Sequence, residues 1–404
     1  MVNIAILGYG TIGSGVAQLM EENSKTIAKK CGEEIFLKKV LDLRDFEGHS
    51  IQSKITHDLK DILEDPDIKI VVETMGGVEP ASSFTEQCLL AGKSVVTSNK
   101  AVVAENGAKL LKIARQKQCQ YLFEASVGGG IPIIRPMEYC MTGEQILEIT
   151  GILNGTTNYI LTKMDKEGIS FEKALKEAQE RGYAERNPEA DIEGYDTCRK
   201  ISILTSVATG QTISYKEIQT EGIKEITIQD FVYANKMDAS IKLLARSRLS
   251  DAGVRIMVSP VMISSEHPLF GVNDVYNGIL VKGNMVGDLM FYGSGAGKRQ
   301  TASAVMADIV EAARFPGESM ERGWEESPLT IENNSEMTHQ YFMRISGNTL
   351  EKRQEAEKIF GEVLFTIFEY LDEFGILTKE MTEAEYYEKS KQMPGIIQMI
   401  RAEF

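Results

Sequence analysis

Residues 2–30 read VNIAILGYGTIGSGVAQLMEENSKTIAKK. An apolar run of strand length, 2–7, passes directly into Gly8-Tyr9-Gly10-Thr11-Ile12-Gly13 and then into a helical pattern. The glycines of G-x-G-x-x-G allow, in turn, the tight turn, the approach of a pyrophosphate to the backbone, and close packing of helix on strand. Alone the triplet is a weak signal, because ligand-free glycine turns are common. Here strand and helix flank it in the required order. The reading is therefore a dinucleotide-binding βα unit with Gly8, Tyr9, Gly10, Thr11, Ile12 and Gly13 at the cofactor. It predicts an α/β fold of the Rossmann type, a parallel sheet with helices on both faces.

Downstream, IFLKKVLDLRD (35–45) is a second strand ending near Asp42 and Arg44. A carboxylate at this place binds the adenine ribose hydroxyls and an arginine holds a 2′-phosphate, so the pair leaves NAD and NADP both open. IKIVVETM (68–75) is another apolar strand, and Pro80 opens a helix that closes at Ala91-Gly92. SVVTSNK (94–100) reads as a strand ending at Lys100. Ligands of doubly wound sheets sit at the carboxyl ends of strands, which brings Lys100 to the site, although a cation there opposes the dipole of the helix it starts.

The length of 404 residues implies two or three domains. No run approaches the roughly 18 to 20 apolar residues of a membrane span, and the N-terminal run lacks a basic flank, so a cytoplasmic protein is expected. Five cysteines without a CxxC pair fit reduced thiols, and four histidines without metal-ligand spacing argue against a histidine-built metal site. Acid–base chemistry then falls to Lys, Asp and Glu. A net charge of −15 with no basic stripe excludes nucleic acid as a partner and is compatible with a small zwitterion.

The stretch 151–200, GILNGTTNYILTKMDKEGISFEKALKEAQERGYAERNPEADIEGYDTCRK, places Asn154, Gly155, Thr156 and Thr157 at a turn before a helix. A polar segment follows in which Glu185, Asp191, Asp196 and Lys200 are expected to converge. Asp196 and Lys200 are four apart and share a helix face. Solvated helices carry such pairs routinely, but three carboxylates with a lysine make a costly cluster unless a small charged ligand meets it. GILNGTTNYIL, then GYAE, a proline, an aspartate, G-x-D and a lysine, resembles the substrate-domain signature of homoserine dehydrogenase over about fifty positions.

The resemblance implies reversible NAD- or NADP-dependent interconversion of L-homoserine and L-aspartate 4-semialdehyde, with Lys200 and Lys100 catalytic. It implies Glu185, Asp191, Asp196, Thr157 and Gly155 at the amino-acid substrate, and Ser98 of the S-N-K run at the cofactor. In the family a glutamate and following carbonyls bind a monovalent cation (Na+ or K+), which maps onto Glu124, Val127, Gly129 and Ile131. The GSGAG passage ending at Gly297 resembles the family's return to the cofactor, with Lys298-Arg299-Gln300 in place of the usual proline. Its GAGK is no P-loop, since Arg299 stands where Ser or Thr would bind magnesium. Asn187 likewise stands where the family has aspartate.

The expected organisation is a dinucleotide-binding unit over 1–135, completed by about 298–316. An α+β substrate and dimerisation unit over 136–297, a polar linker over 317–336 and a small βαββαβ unit over 337–404 follow. The last resembles an ACT domain but lacks its D-x-P-G turn. Its apolar strands (341–345 and 396–400) are expected to find a partner face on a second copy, in a homodimer or homotetramer. Two other functions share parts of this reading: another NAD(P)-dependent amino-acid semialdehyde reductase, and a non-catalytic dinucleotide-sensing protein. Turnover of aspartate semialdehyde separates them.

Overall fold

The N-terminal apolar runs are buried on both faces, which is the pattern of parallel strands covered by helices on each side. β1 (Val2–Leu7), β2 (Ile35–Leu41), β3 (Ile55–Thr56), β4 (Ile68–Glu73), β5 (Ser94–Thr97) and β6 (Tyr121–Leu122) form one parallel sheet in the order β3-β2-β1-β4-β5-β6. The order reverses between β1 and β4, so a crevice opens at their carboxyl ends. The covering helices are α1 (Thr11–Glu22), α2 (Ser24–Cys31), α3 (Lys60–Leu63), α4 (Ala81–Leu90) and α5 (Lys100–Gln116). Lys100 is thus the first helical residue rather than the last of a strand. The structure, a computed structural model, describes residues 1–317 and 323–404.

The second unit is helical first and then a sheet. β7 (Ile146–Ile152) is followed by α6 (Gly155–Glu167), α7 (Phe171–Glu180), α8 (Glu189–Ile192) and α9 (Tyr195–Thr209). Next come β8 (Gln211–Thr212), β9 (Gln219–Thr220), α10 (Ile228–Lys236), β10 (Ala239–Ser250), β11 (Gly253–Ser264), β12 (Tyr276–Gly283) and β13 (Gly287–Ser294). α11 (Lys298–Arg314) returns to the first unit, where Ala302, Val305 and Ile309 share a core with Ile4, Ile6 and Val16.

Part of the expected linker, 318–322, lies outside the described residues. The rest is not a loose tether. Trp324 is buried with its ring edge-on to Phe123, and β14 (Glu325–Pro328) pairs with β8. A large aromatic side chain in an otherwise polar stretch was the local signal for this anchoring.

The C-terminal unit has β15 (Thr338–Ser346), α12 (Leu350–Phe360), β16 (Val363–Ile367), β17 (Glu373–Thr378), the short β18 (Met381–Thr382), α13 (Glu383–Ser390) and β19 (Ile396–Glu403). Its strands lie in the order β19-β15-β17-β16, all antiparallel, as in ferredoxin-like βαββαβ units. The expectation that this sheet needs a second copy is corrected. β19 pairs in parallel with β11 of the same chain (Val261↔Arg401, Met262↔Ala402, Ile263↔Glu403), so one eleven-stranded sheet runs through both units. On one face Phe342 and Gly375 pack against Tyr233 of α10, which gives the apolar strands their partner intramolecularly.

Candidate active site

β7 ends at Ile152, and Asn154 turns the chain into α6. Its backbone is extended and its Oδ1 accepts from Thr157 N at 2.8 Å, an ordinary N-cap. The other end of the same amide donates to Asp191 Oδ1 at 2.7 Å and Asp196 Oδ2 at 2.9 Å. One buried side chain therefore sets both the start of α6 and the spacing of two carboxylates. Gly194, at φ +80, separates α8, which carries Asp191, from α9, whose first turn carries Asp196. Lys200 follows one turn later, with Nζ 2.8 Å from Asp196 Oδ2 and 2.7 Å from the Leu153 carbonyl. An ammonium has three N–H donors, so one remains without a described acceptor.

Lys100 enters from the first unit. Asn99 caps α5 by accepting from Ala101 N and Val102 N, and Lys100 then reaches Asp196 Oδ1 at 2.6 Å. Asp196, with a side chain 3% exposed, is gripped on each oxygen by a lysine from a different unit. Burial would raise its pKa, but Lys200 and Lys100 more than offset that and hold the carboxyl well below the usual range. The two lysines are pushed apart. Asp196 raises Lys100 against burial, whereas burial lowers Lys200 despite Asp196, with Lys100 adding repulsion. The expected direction is thereby corrected: the neighbouring carboxylates do favour the charged form of Lys200, but desolvation of a buried ammonium is the larger effect and moves its pKa down. Asp191 is raised by burial and by Asp196, partly countered by Asn154.

Not every expected residue converges. Glu185 is exposed, and its carboxylate has no partner among the described residues. It lies on a loop after α7 whose direction helix periodicity cannot set. Thr157 turns its hydroxyl inward onto Asn154, and Gly155 is needed because a Cβ there would lie 2.7 Å from the Val275 carbonyl. Both build the turn; Thr157 is buried, whereas Gly155 is half-buried.

The glycine loop fits a dinucleotide. Gly8 has φ +88, a Cβ on Gly13 would collide with the Gly8 carbonyl, and the side of Gly10 is open. No side chain caps the N-terminus of α1 and its first turn has no acid, which leaves its N–H groups for an anion. Tyr9 N donates to Asp42 Oδ2 at 2.7 Å, and Arg44 grips both oxygens of Asp42 at 2.9 and 3.0 Å. Ser98 follows β5, with its N–H 3.4 Å from the Glu73 carbonyl. Gly297 caps α11 at φ +124. Lys298 lies against Gly15 of α1, where a Cβ would come within 2.9 Å of its Cγ.

Glu124 is buried, and its carboxylate accepts the N–H groups of Ile133, Ile134 and Arg135 at 2.7 to 2.9 Å. The carbonyls of Val127, Gly129 and Ile131 accept no described hydrogen bond, and Gly129 (φ +59) packs on the backbone of Gly295. Carbonyls of buried residues without donors are the kind of group a hard monovalent cation takes, whereas both oxygens of Glu124 are engaged in holding the loop. Among the described residues no group of three His, Cys, Asp or Glu could hold a metal ion.

Sequence reasoning passed over Glu73 and the bridging amide of Asn154. Glu73 closes β4, fully buried and raised by burial, and accepts from Thr97 Oγ1 at 2.6 Å and Met75 N at 2.7 Å. Asn99 Nδ2 donates to the carbonyls of Met75 and Gly77. This network ties the crevice loop after β4 to the start of α5. A lone carboxylate ending an apolar strand was its signal.

Residues 8–124 match the family model described as the NAD binding domain of homoserine dehydrogenase, and 132–310 match that described as homoserine dehydrogenase. The chain is similar to homoserine dehydrogenase of Helicobacter pylori, 41% identical over 347 residues (85% of this chain, 81% of that protein). It is also similar to that of Synechocystis, 39% identical over 350 residues (85% and 79%). Among solved structures, a homoserine dehydrogenase from Thiobacillus denitrificans superposes with a TM-score of 0.92 at 31% identity, covering 100% of this chain and 98% of that one. A hyperthermophilic archaeal homoserine dehydrogenase mutant in complex with NADPH superposes with a TM-score of 0.65 at 30% identity (78% and 99%).

Proposed function

The chain belongs to the homoserine dehydrogenase family, NAD(P)-dependent oxidoreductases that interconvert L-homoserine and L-aspartate 4-semialdehyde, and from that premise we propose how its residues divide the reaction. A nicotinamide held at the Gly8–Gly13 loop supplies the hydride, and the protein manages the proton on the substrate oxygen. Lys200 is the proton donor in reduction and the acceptor in oxidation. The observation that carries this is the grip of Lys100 and Lys200 on one buried carboxylate, with their pKa values moved in opposite directions. A group that must exchange a proton needs a pKa moved toward the working range, and burial does that to Lys200 alone. Lys100 keeps its charge and offsets the negative charge developing on the substrate oxygen.

Asp191 and Asp196 form the acidic wall toward the substrate ammonium, and Glu185 stands outside it on the exposed loop after α7. Gly155 and Thr157 shape that wall through the turn at Asn154. Gly8, Tyr9, Gly10, Thr11, Ile12 and Gly13 hold the pyrophosphate, Asp42 and Arg44 the adenosine, and Ser98 and Gly297 the sides of the crevice. The carbonyls of Val127, Gly129 and Ile131 are the candidate Na+ or K+ ligands. The C-terminal unit is ACT-like. No helix of the described residues is long and apolar enough to cross a membrane, and we place the protein in the cytoplasm as a homo-oligomer.

The test is a pH profile of aspartate semialdehyde reduction under saturating cofactor. Loss of rate on the alkaline side should begin below the ordinary lysine range, because reduction requires the protonated amine. A profile flat to the ordinary lysine value removes Lys200 from the proton step.

A further inference from the structure

Arg401 of β19 has a side chain only 1% exposed, yet it touches none of the groups that handle substrate. Its Nη1 and Nη2 fork onto Glu221 at 2.7 and 2.9 Å, and its Nε pairs with Glu383. Glu221 directly follows β9, and its N–H donates to the Val258 carbonyl of β11 at 2.8 Å. Gln398 of β19 adds a second tie, donating to the Glu225 carbonyl at 2.8 Å. The opposite side of segment 219–225 rests on the α8–α9 turn. Ile223 N donates to the Ile192 carbonyl at 2.9 Å. Gly222 packs so closely that a Cβ would lie 2.8 Å from Glu193 Cα, and a Cβ on Gly194 would lie 3.0 Å from Thr220 Cγ2. Ile192 adjoins Asp191, and Gly194 stands two residues before Asp196.

The segment is therefore clamped between the C-terminal sheet and the turn that presents both site aspartates. We propose that Arg401, acting through Glu221, is a positioning residue for Asp191 and Asp196. The inference rests on the assignment of those aspartates to the substrate site. The backbone-to-backbone contact at Gly222, with the hydrogen bond from Ile223 N to the Ile192 carbonyl, has no compliant side chain to absorb a shift, so displacement of Glu221 passes to the turn. A planar guanidinium fork fixes direction as well as distance, which a lysine cannot reproduce. Asp196 holds both lysines, so a small rotation of the first turn of α9 changes their geometry together.

The matched control is Arg344, also buried in the C-terminal unit, which pairs with Asp230 of α10 and Glu373 without touching the turn. Arg401→Met, Arg401→Lys, Glu221→Gln and Arg344→Met are compared in the full chain below their Tm. The measurements are kcat, KM for homoserine, Kd for NADP+ and the pH profile of kcat. Glu221 is partly exposed, so Glu221→Gln remains informative if Arg401→Met does not fold. The expected result is a loss in kcat/KM of about three- to thirty-fold in the Arg401 and Glu221 variants, with a displaced pH midpoint and unchanged NADP+ affinity. Arg401→Met and Glu221→Gln together should cost little more than either alone. Arg344→Met should lower Tm while leaving the kinetics within about two-fold. The proposal is overturned if the Arg401 and Glu221 variants lose only Tm, or if Arg344→Met reproduces their kinetics and pH shift. Failure of the site assignment would show separately, as undiminished turnover by Asp196→Asn with intact Arg401.

Discussion

Lys100 and Lys200 carry the same ammonium and share one carboxylate, but their surroundings move their pKa values in opposite directions. Lys200→Ala removes the group whose charge is adjustable, so turnover should fall by about 100- to 10,000-fold while cofactor binding stays nearly unchanged. Steady-state rates with fluorescence titration of NADPH check this, and more than about a tenth of the wild-type rate would remove Lys200 from the proton step. Asp42 presents a second contest between residues. Its carboxyl is held well below the usual range by the Arg44 guanidinium and the Tyr9 N–H, which outweigh burial. Asp42→Ser releases Arg44 and removes a negative charge, so kcat/KM for NADPH should rise relative to NADH. An unchanged ratio would assign the preference to the loop backbone instead.

At the scale of elements, the C-terminal unit is joined by its strand edge and by buried charges. The β15–α12 loop turns at Gly347 (φ +83), and Lys352 Nζ donates to the Ser346 carbonyl at 2.5 Å, so the lysine fills the inside of this loop. Threonine titrated into an assay of the intact chain should leave the rate unchanged. Strong inhibition lost on truncation before Thr338 would establish a working sensor. His339 gives this unit a pH dependence. Burial, aided by Arg246 and Arg401, lowers its pKa to about 3. The unfolded chain, titrating near about 6.5, binds a proton that the native state refuses. Stability present above that value therefore declines as pH falls toward 3, by up to about 1.4 kcal/mol per pH unit. Urea unfolding at pH 7 and pH 5 should show this decline, and His339→Gln should flatten it; equal slopes would assign the loss to the carboxylates.

For the whole molecule, the long sheet leaves one end exposed. Tyr276, Tyr292 and Met290 are exposed on the same face of the β12–β13 hairpin, with the two tyrosines stacked at 5.3 Å. β13 is also an edge strand. An apolar face beside an unpaired edge suits an isologous contact with a second copy. If two copies meet on this face, Met290→Glu with Tyr292→Glu should lower the mass found by light scattering coupled to gel filtration. An unchanged mass would place the contact elsewhere.

What residues 2–30 and 151–200 determined by themselves was local. The glycine turn, the N-cap at Asn154 and the Asp196–Lys200 pair all follow from backbone sterics and helical spacing within a few residues. The βαββαβ order of the C-terminal unit was legible for the same reason, because each element's period is a property of its own segment. What the tertiary structure decided depends on distance through space. Lys100 finds Asp196 from another unit, Glu185 stays out of the cluster, and β19 joins β11 instead of a second chain. The direction of the Lys200 shift belongs to this second class. Charge sequence alone counts the carboxylates around it, but the desolvation that prevails is set by how much protein encloses the ammonium, which exists only once the chain has folded.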